Sequence, residues 1–231
     1  MARFSDKDVE RITRIKSILY CSAIQFLGTD GVMCRDFFIA GGVFANLWHF
    51  FERHKDRMDA HPAAYDYLHD RPVYNNMFPG SDIDFYVKAD NDKDYDLSVK
   101  GILKHYQDRI SFSNEYSTTA HAVTVDMKKA RPYLTNSVQV IYIQRGQPEK
   151  VIDTFDMEHT KIYYDVGTNA LTISPAQLQL VKNKKIIFDP TKCVKDRDVR
   201  LQKWFDRGWT IYKEIEPIKH DELEIPDDIP F

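Results

Sequence analysis

The segment GSDIDFYV, residues 80–87, decides the fold of this chain, because it places two carboxylates on a segment that is otherwise typical of a buried strand. Side chains alternate across a strand, so Asp82 and Asp84 share one face. The apolar residues Ile83, Phe85 and Val87 share the other face and can enter a core. Adjacent negative charges are costly unless a cation lies between them, and carboxylate oxygens suit Mg²⁺ or Mn²⁺. The pair predicts a metal site, with a solvated acidic strand edge as the alternative.

A second motif lies upstream of the D-x-D strand. Residues 36–40 predict a short buried strand that leads into Gly41 and Gly42 and then into a helix from Val43. Glycines let the backbone approach a bound group closely, and a helix N-terminus offers N–H groups to an anion. A Gly-Gly turn alone more often only closes a tight corner between a strand and a helix, so its interpretation depends on the D-x-D strand.

Composition and charge exclude several classes of protein. The chain has 231 residues and a net charge of −3, so we expect one main domain, and any nucleic-acid contact requires a local basic patch. Three widely spaced cysteines favour a reducing compartment over disulfides or a zinc site. No apolar run approaches transmembrane length and no signal-peptide core is present, so no membrane association and a cytoplasmic location are expected.

The order of helix, strand, Gly-Gly, helix, insertion and G-S-D-I-D strand resembles the nucleotidyltransferase superfamily of the polymerase β type. The resemblance implies an α+β fold, a nucleotidyltransferase-fold mixed sheet flanked by helices, with a helical C-terminal extension. It implies that Gly41 and Gly42 form the phosphate turn and that Ser81 touches the phosphates. Asp82 and Asp84 would then hold the catalytic Mg²⁺ or Mn²⁺. A looser similarity points to the head domains of class II tRNA nucleotidyltransferases and poly(A) polymerases.

The same resemblance divides the chain into three parts. Residues 1–190 form the nucleotidyltransferase-like domain, with an insertion at 48–79 that accounts for the long gap between the two motifs. Residues 191–216 form a basic helical extension, and residues 217–231 form an acidic tail.

Periodicity predicts the remaining elements. A first helix is capped by Ser5 and Asp8 and turns six apolar residues to the core: Val9, Ile12, Ile15, Leu19, Ala23 and Phe26. Further on, we expect a helix at 97–106, strands at 120–127 and 138–143 joined as a hairpin, a helix from Pro148, strands at 161–164 and 170–173, a helix at 177–181 and a long helix within 192–214.

Many members of the superfamily carry a third carboxylate on a later strand, and three candidates stay open here. Asp126, at the end of the 120–127 strand, is the first candidate and would orient the acceptor oxygen. Asp153 and Asp156 lie in a later helix-like segment. Gln139 occupies the position that a carboxylate could take on the 138–143 strand.

Positive charge concentrates late in the chain. Arg197, Arg200 and Lys203 recur every three residues, so one helix face is predicted to carry them, with Trp204 adjacent. Such a face suits an RNA backbone, and an exposed tryptophan can stack on a base. A solvated basic face, with Trp204 and Trp209 turned into the core, is an equal alternative.

The function implied by the resemblance is nucleotidyl transfer. An acceptor hydroxyl attacks the α-phosphate of a nucleoside triphosphate such as ATP, and pyrophosphate leaves. The expected acceptor is RNA, at a tRNA end or another 3′ terminus. Two alternatives stay open: the same chemistry on a protein or small molecule, as in toxin-like or antibiotic-modifying relatives, and an inactive homologue that only binds nucleotide. The sequence does not indicate an oligomeric state.

Overall fold

The computed structural model describes residues 3–27, 36–54, 82–89, 91, 93, 116–118, 122–126, 137–193 and 197–215. Several predictions fall outside these residues: the Ser81 contact, the helix at 97–106, most of the 48–79 insertion and the 217–231 tail. The first residues of that predicted insertion, 48–53, lie in the helix Val43–Arg53.

The described helices and strands make a mixed α+β architecture, so the predicted fold class is confirmed at that level. In chain order they are α1 (Asp6–Leu27), β1 (Phe37–Ala40), α2 (Val43–Arg53), β2 (Ile83–Val87), β3 (Tyr116–Thr118), β4 (Ala122–Asp126), β5 (Ser137–Arg145), α3 (Pro148–Asp153), β6 (Tyr163–Asp165), β7 (Ala170–Thr172), α4 (Pro175–Lys182), β8 (Lys185–Phe188), α5 (Arg197–Phe205) and β9 (Thr210–Glu214). Among the described residues, no helix has both the length and the apolar character needed to cross a membrane.

Seven strands form one sheet in the order β3-β4-β5-β2-β1-β6-β7. The D-x-D strand β2 runs antiparallel to β1 and parallel to β5, and β4 pairs antiparallel with β5, which confirms the predicted hairpin-like pairing. The register places Asp84 between Ala40 on β1 and Gln139 on β5. Because Ala40 directly precedes Gly41, the glycine turn and the aspartate pair lie at the same end of neighbouring strands.

The two faces of β2 have different neighbours. Ile83, Phe85 and Val87 are buried in the main core with α1 and α2, as the alternation predicts. On the other face, Tyr86 stacks on Phe38 at a centroid distance of 5.2 Å and belongs to a second apolar cluster. This cluster covers the far end of the carboxylate face and leaves the end that carries Asp82 and Asp84 beside a cavity.

Helix α1 begins as predicted, but its core face is rotated. The backbone N–H of Ser5 donates to Asp8 and that of Asp8 donates to the Ser5 hydroxyl, which makes the expected capping box. The prediction for Val9 is wrong, because this side chain is exposed while Ile18 takes a core position. At roughly 100° per residue, Val9 lies about 120° around the helix axis from Ile15 and therefore outside the buried stripe.

The prediction of one long helix within 192–214 is wrong. Helix α5 ends at Phe205, and β9 then pairs in parallel with β8 as a separate two-stranded sheet. Gly208 has φ +80°, a left-handed conformation that terminates a helix without steric cost. The strand-favouring residues Thr210 and Ile211 follow, so the chain extends instead of resuming the helix.

Candidate functional site

A cavity of about 350 Å³ lies where the glycine turn, β2 and α5 meet. Asp82 and Asp84 line one side of it, together with Gly41 and Gly42. The sequence predicted these four residues as one site, and the fold brings them together around one space. Ser81, predicted with them, is outside the described residues.

The glycine turn owes its geometry to Gly41. This residue has φ +90°, and a Cβ built on it would lie 3.4 Å from Oδ2 of Asp84. Only glycine adopts this conformation readily while leaving the carboxylate directly against the turn. The Gly41 N–H donates to the carbonyl of Thr160 at 3.1 Å, so this amide serves the fold. Gly42 is the N-cap of α2, whose first turn faces the same space.

The chemistry of the aspartate pair fits Mg²⁺ or Mn²⁺. Asp82 and Asp84 are half-buried and line the same cavity. Within the described part of the chain, no group of three or more His, Cys, Asp and Glu side chains could hold a metal ion. Mg²⁺ is commonly held by one or two carboxylates and completes its shell with water and substrate phosphates. The pair is therefore a sufficient protein contribution for that ion.

The three candidates for a third carboxylate lie in different places. Asp156 is 3% exposed and lines the cavity, and its two oxygens lie 2.6 and 2.7 Å from Nε and Nη2 of Arg200. Asp153 is exposed, and its carboxylate lies 3.2 Å from Nζ of Lys192. Asp126 pairs with Ser137 at the end of β4, two strands from β2. The fold therefore brings Asp156 to the cavity of the aspartate pair, and the charge of Asp156 is already paired with that of Arg200.

The predicted basic face of α5 is divided. Arg200 and Lys203 line the cavity, whereas Arg197 lies 2.7 Å from Glu214 on β9 and does not line it. Arg207, just beyond the helix, joins Arg200 and Lys203 in the cavity wall. We call these three residues the cationic wall.

Arg207 was missed as a site residue by the sequence reasoning. Its Nη1 donates to Oδ1 of Asn46 at 3.4 Å, and its guanidinium carbon lies 5.4 Å from the centre of the Trp204 ring. Burial lowers the pKa of Arg207, and the negative charge of Asp82 opposes that shift. Arg207 follows Lys203 by four residues and so continues the helical spacing of Arg200 and Lys203. This pattern in the sequence could have identified it.

Trp204 was expected either as an exposed ring that stacks on a base or as a core residue, and it is a core residue. Trp204 and Trp209 are both buried, and His159 lies between them with ring centroids 4.4 and 4.2 Å away. A Cβ on Gly42 would lie 3.0 Å from the Trp204 ring, so the glycine turn packs directly on α5. Trp204 is 6% exposed and therefore offers little surface on which a base could stack.

Comparison with known proteins corrects the family resemblance. Residues 14–184, about three quarters of the chain, match a family described as "Gabija anti-defense 2 family protein" (Gad2). The match includes the glycine turn and the D-x-D strand and ends before α5. This is not a nucleotidyltransferase family, so the resemblance to the polymerase β superfamily, and the looser one to tRNA nucleotidyltransferases, are wrong as family assignments. No curated protein matches the chain.

Proposed function

Since the chain belongs to the Gabija anti-defense 2 family, we propose that it counteracts Gabija defence by transferring a nucleoside monophosphate from a nucleoside triphosphate to an acceptor hydroxyl. One observation carries this proposal. The cavity is lined by Asp82 and Asp84, by the cationic wall and by the glycine turn. A metal-bound triphosphate needs both kinds of surface, because its cation binds carboxylates and its phosphates bind arginine and lysine.

In the proposed reaction, the acceptor oxygen attacks the α-phosphorus and a new P–O bond forms. The bond from the α-phosphorus to the bridging oxygen breaks, pyrophosphate leaves with the electron pair, and the acceptor proton passes to solvent. A bound Mg²⁺ or Mn²⁺ would supply charge neutralisation at the phosphate oxygens. The contribution of Asp82 and Asp84 is to hold that charge on one side of the cavity. Gly41 and Gly42 leave room for the phosphates against the backbone.

The layout of the sheet supports the same proposal. β1 enters the glycine turn, and β2 returns antiparallel beside it with Asp84 opposite Ala40. A strand, a glycine pair, a helix and a neighbouring aspartate strand are the parts that the nucleotidyltransferase fold uses. We propose a similarity in the arrangement of these elements only. We also propose a cytoplasmic location for the activity.

The acceptor that we propose first is RNA, because an RNA 3′ end supplies the free hydroxyl that the proposed reaction requires. A protein of the Gabija system is the second candidate. Two observations favour it: the family is described as an anti-defense family, and the burial of Trp204 removes the predicted base-stacking surface.

The test is a label-transfer assay with each α-labelled triphosphate, Mg²⁺ or Mn²⁺, and either total RNA or purified Gabija proteins. We expect label from the α-phosphate and none from the γ-phosphate. Asp82→Asn and Asp84→Asn should lower transfer by several orders of magnitude, since charge stabilisation is usually the largest part of such catalysis. Asp153→Asn is the matched control, because Asp153 is an exposed carboxylate outside the cavity lining.

Each outcome of that assay is informative. Label in RNA supports the first acceptor, and label in a Gabija protein supports the second. Near-normal transfer by both β2 variants would contradict the assignment of the site. Absence of label in every acceptor, with triphosphate still bound, would identify a nucleotide-binding protein without transferase activity.

A further inference from the structure

We infer that the cationic wall, Arg200, Lys203 and Arg207, binds the polyphosphate tail of the nucleotide, and that Asp156 is a positioning residue for Arg200. The ligand chemistry is a linear triphosphate, whether it is part of a nucleotide or free. This inference rests on the proposed function for its nucleotide and replaces the predicted role of Arg200 and Lys203 in binding an RNA acceptor.

The three cations of the cationic wall come together at one cavity. They come from positions i, i+3 and i+7 of the α5 segment and all line the cavity that contains Asp82 and Asp84. Arg197, one turn earlier, is directed to Glu214 and lies outside the cavity lining. The cationic wall and the carboxylate pair therefore line one space, where a bound anion with its own cation would contact both groups.

Arg200 is held in place by Asp156. Nη2 donates a hydrogen bond to Oδ1 of the buried Asp156 at 2.7 Å, and Nε lies 2.6 Å from Oδ2 as an ion pair without making a hydrogen bond, so two contacts orient the guanidinium. A guanidinium has five N–H donors, so the group retains donors for a ligand while it is anchored. Asp156 is itself held, since its carbonyl accepts from the N–H of Asp189 at 2.8 Å. Its carboxylate therefore orients Arg200 at the edge of the cavity.

Arg207 is held by contacts with both α5 and α2. It packs over Trp204 and donates to Asn46 in the first turns of α2, close to the glycine turn. The planar fork of arginine matches the oxygens of phosphate, and a partly buried arginine loses little freedom when it binds them. Arg207 thus lies beside the glycine turn, at the place where the phosphates of the proposed nucleotide would be.

The experiment measures binding by titration calorimetry with Mg²⁺ and three ligands: ATP, inorganic tripolyphosphate and AMP. We expect Arg207→Gln and Lys203→Gln to weaken ATP and tripolyphosphate by about ten- to a hundredfold each, the range for a lost charged hydrogen bond. AMP, which has no β- or γ-phosphate, should change by less than about threefold. Arg197→Gln is the matched control on the same helix and should bind all three ligands like the wild type.

The role of Asp156 is tested by combining variants. Asp156→Asn keeps the side-chain shape and should weaken tripolyphosphate binding, while the double variant with Arg200→Gln should bind no more weakly than Arg200→Gln alone. Additive losses would overturn the positioning role. Circular dichroism melts show whether each variant is folded, and Asp156→Glu, which keeps the charge, should restore part of the affinity.

The inference and the proposed function fail in different ways. Wild-type binding of ATP by Arg207→Gln and Lys203→Gln overturns the inference, even if nucleotidyl transfer is observed. Binding of ATP but not of tripolyphosphate by the wild type overturns it as well, because the tail would then not be the recognised group. Polyphosphate binding that depends on Arg207, without transfer to any acceptor, supports the inference and overturns only the proposed function.

Discussion

Replacing Asp156 with alanine should destabilise the protein by about 2–4 kcal/mol. Breaking a buried ion pair by removing one partner costs about 3–5 kcal/mol, because the remaining charge is left without compensation. The Asp156 carboxylate is almost fully buried and contacts Arg200 at 2.6 and 2.7 Å, whereas the Arg200 side chain is 36% exposed. Water can therefore hydrate the released guanidinium, so the expected cost is about 2–4 kcal/mol, somewhat less than for a fully buried pair.

The assay is urea unfolding followed by tryptophan fluorescence, since Trp204 lies on the affected helix and Trp209 packs against it. Asp153→Ala is the matched control: it removes a carboxylate three residues away that is 79% exposed and 3.2 Å from Lys192. An exposed pair of this kind contributes at most about 1 kcal/mol. The double variant Asp156→Ala/Arg200→Ala should lose less stability than the sum of the single variants, because no buried charge is left over.

A clear result would refute this reasoning. If Asp156→Ala and Asp153→Ala lower the free energy of unfolding equally, then burial does not distinguish the two carboxylates and Asp156 does not anchor α5. Additive losses in the double variant would likewise show that Asp156 and Arg200 are not coupled.

Three further predictions concern stability. Burial lowers the pKa of His159 to about 3, below its ordinary value of 6.5, so the unfolded state binds more protons between these values and the free energy of unfolding should fall as the pH falls from 6.5 toward 3. The slope from this group is at most about 1.4 kcal/mol per pH unit, and urea titrations of His159→Phe should show a shallower dependence; an unchanged slope would reject the shift. Gly41→Ala should cost about 1–2 kcal/mol in a thermal melt because φ is +90°, and an unchanged melting temperature would argue against that turn. Ser174→Ala should cost about 1 kcal/mol, since it removes the capping box with Gln177, and retained stability would show that the cap contributes nothing.

The carboxylate half of the site could be predicted because its signals are local. Alternation along residues 82–87 fixes which side chains enter the core, and the observed burial of Ile83 and Phe85 follows it. The glycine pair adjoins a buried strand, and neighbouring strands bring it to Asp84 through backbone pairing alone. Such features depend on the period of the strand and on the conformations open to glycine, both of which can be read from a short window of sequence.

The cationic half could be predicted only as a collection of charges. Arg200 and Arg207 reach the cavity because α5 docks on the glycine turn, where the ring of Trp204 fits against the space that Gly42 leaves open. That contact joins residues more than 160 positions apart, and nothing in the spacing of either segment indicates it. The family assignment was wrong for a related reason, because the motifs that carried the resemblance describe a local layout and a layout alone does not identify a family.

Asp153 and Asp156 show where the limit of sequence reasoning lies. Asp153 is the last residue of α3 and Asp156 follows that helix, and nothing in their local sequence distinguishes them as candidates. Their environments differ because Phe155 packs into the second apolar cluster, on the carboxylate face of β2. The adjacent Asp156 is therefore buried, and there it contacts Arg200. Burial without a partner would be prohibitive for that carboxylate, so its position and that of α5 determine each other. The acidic and basic sides of the cavity are thus coupled through Asp156, and a change in its charge should reach both the stability of α5 and the binding of a polyphosphate.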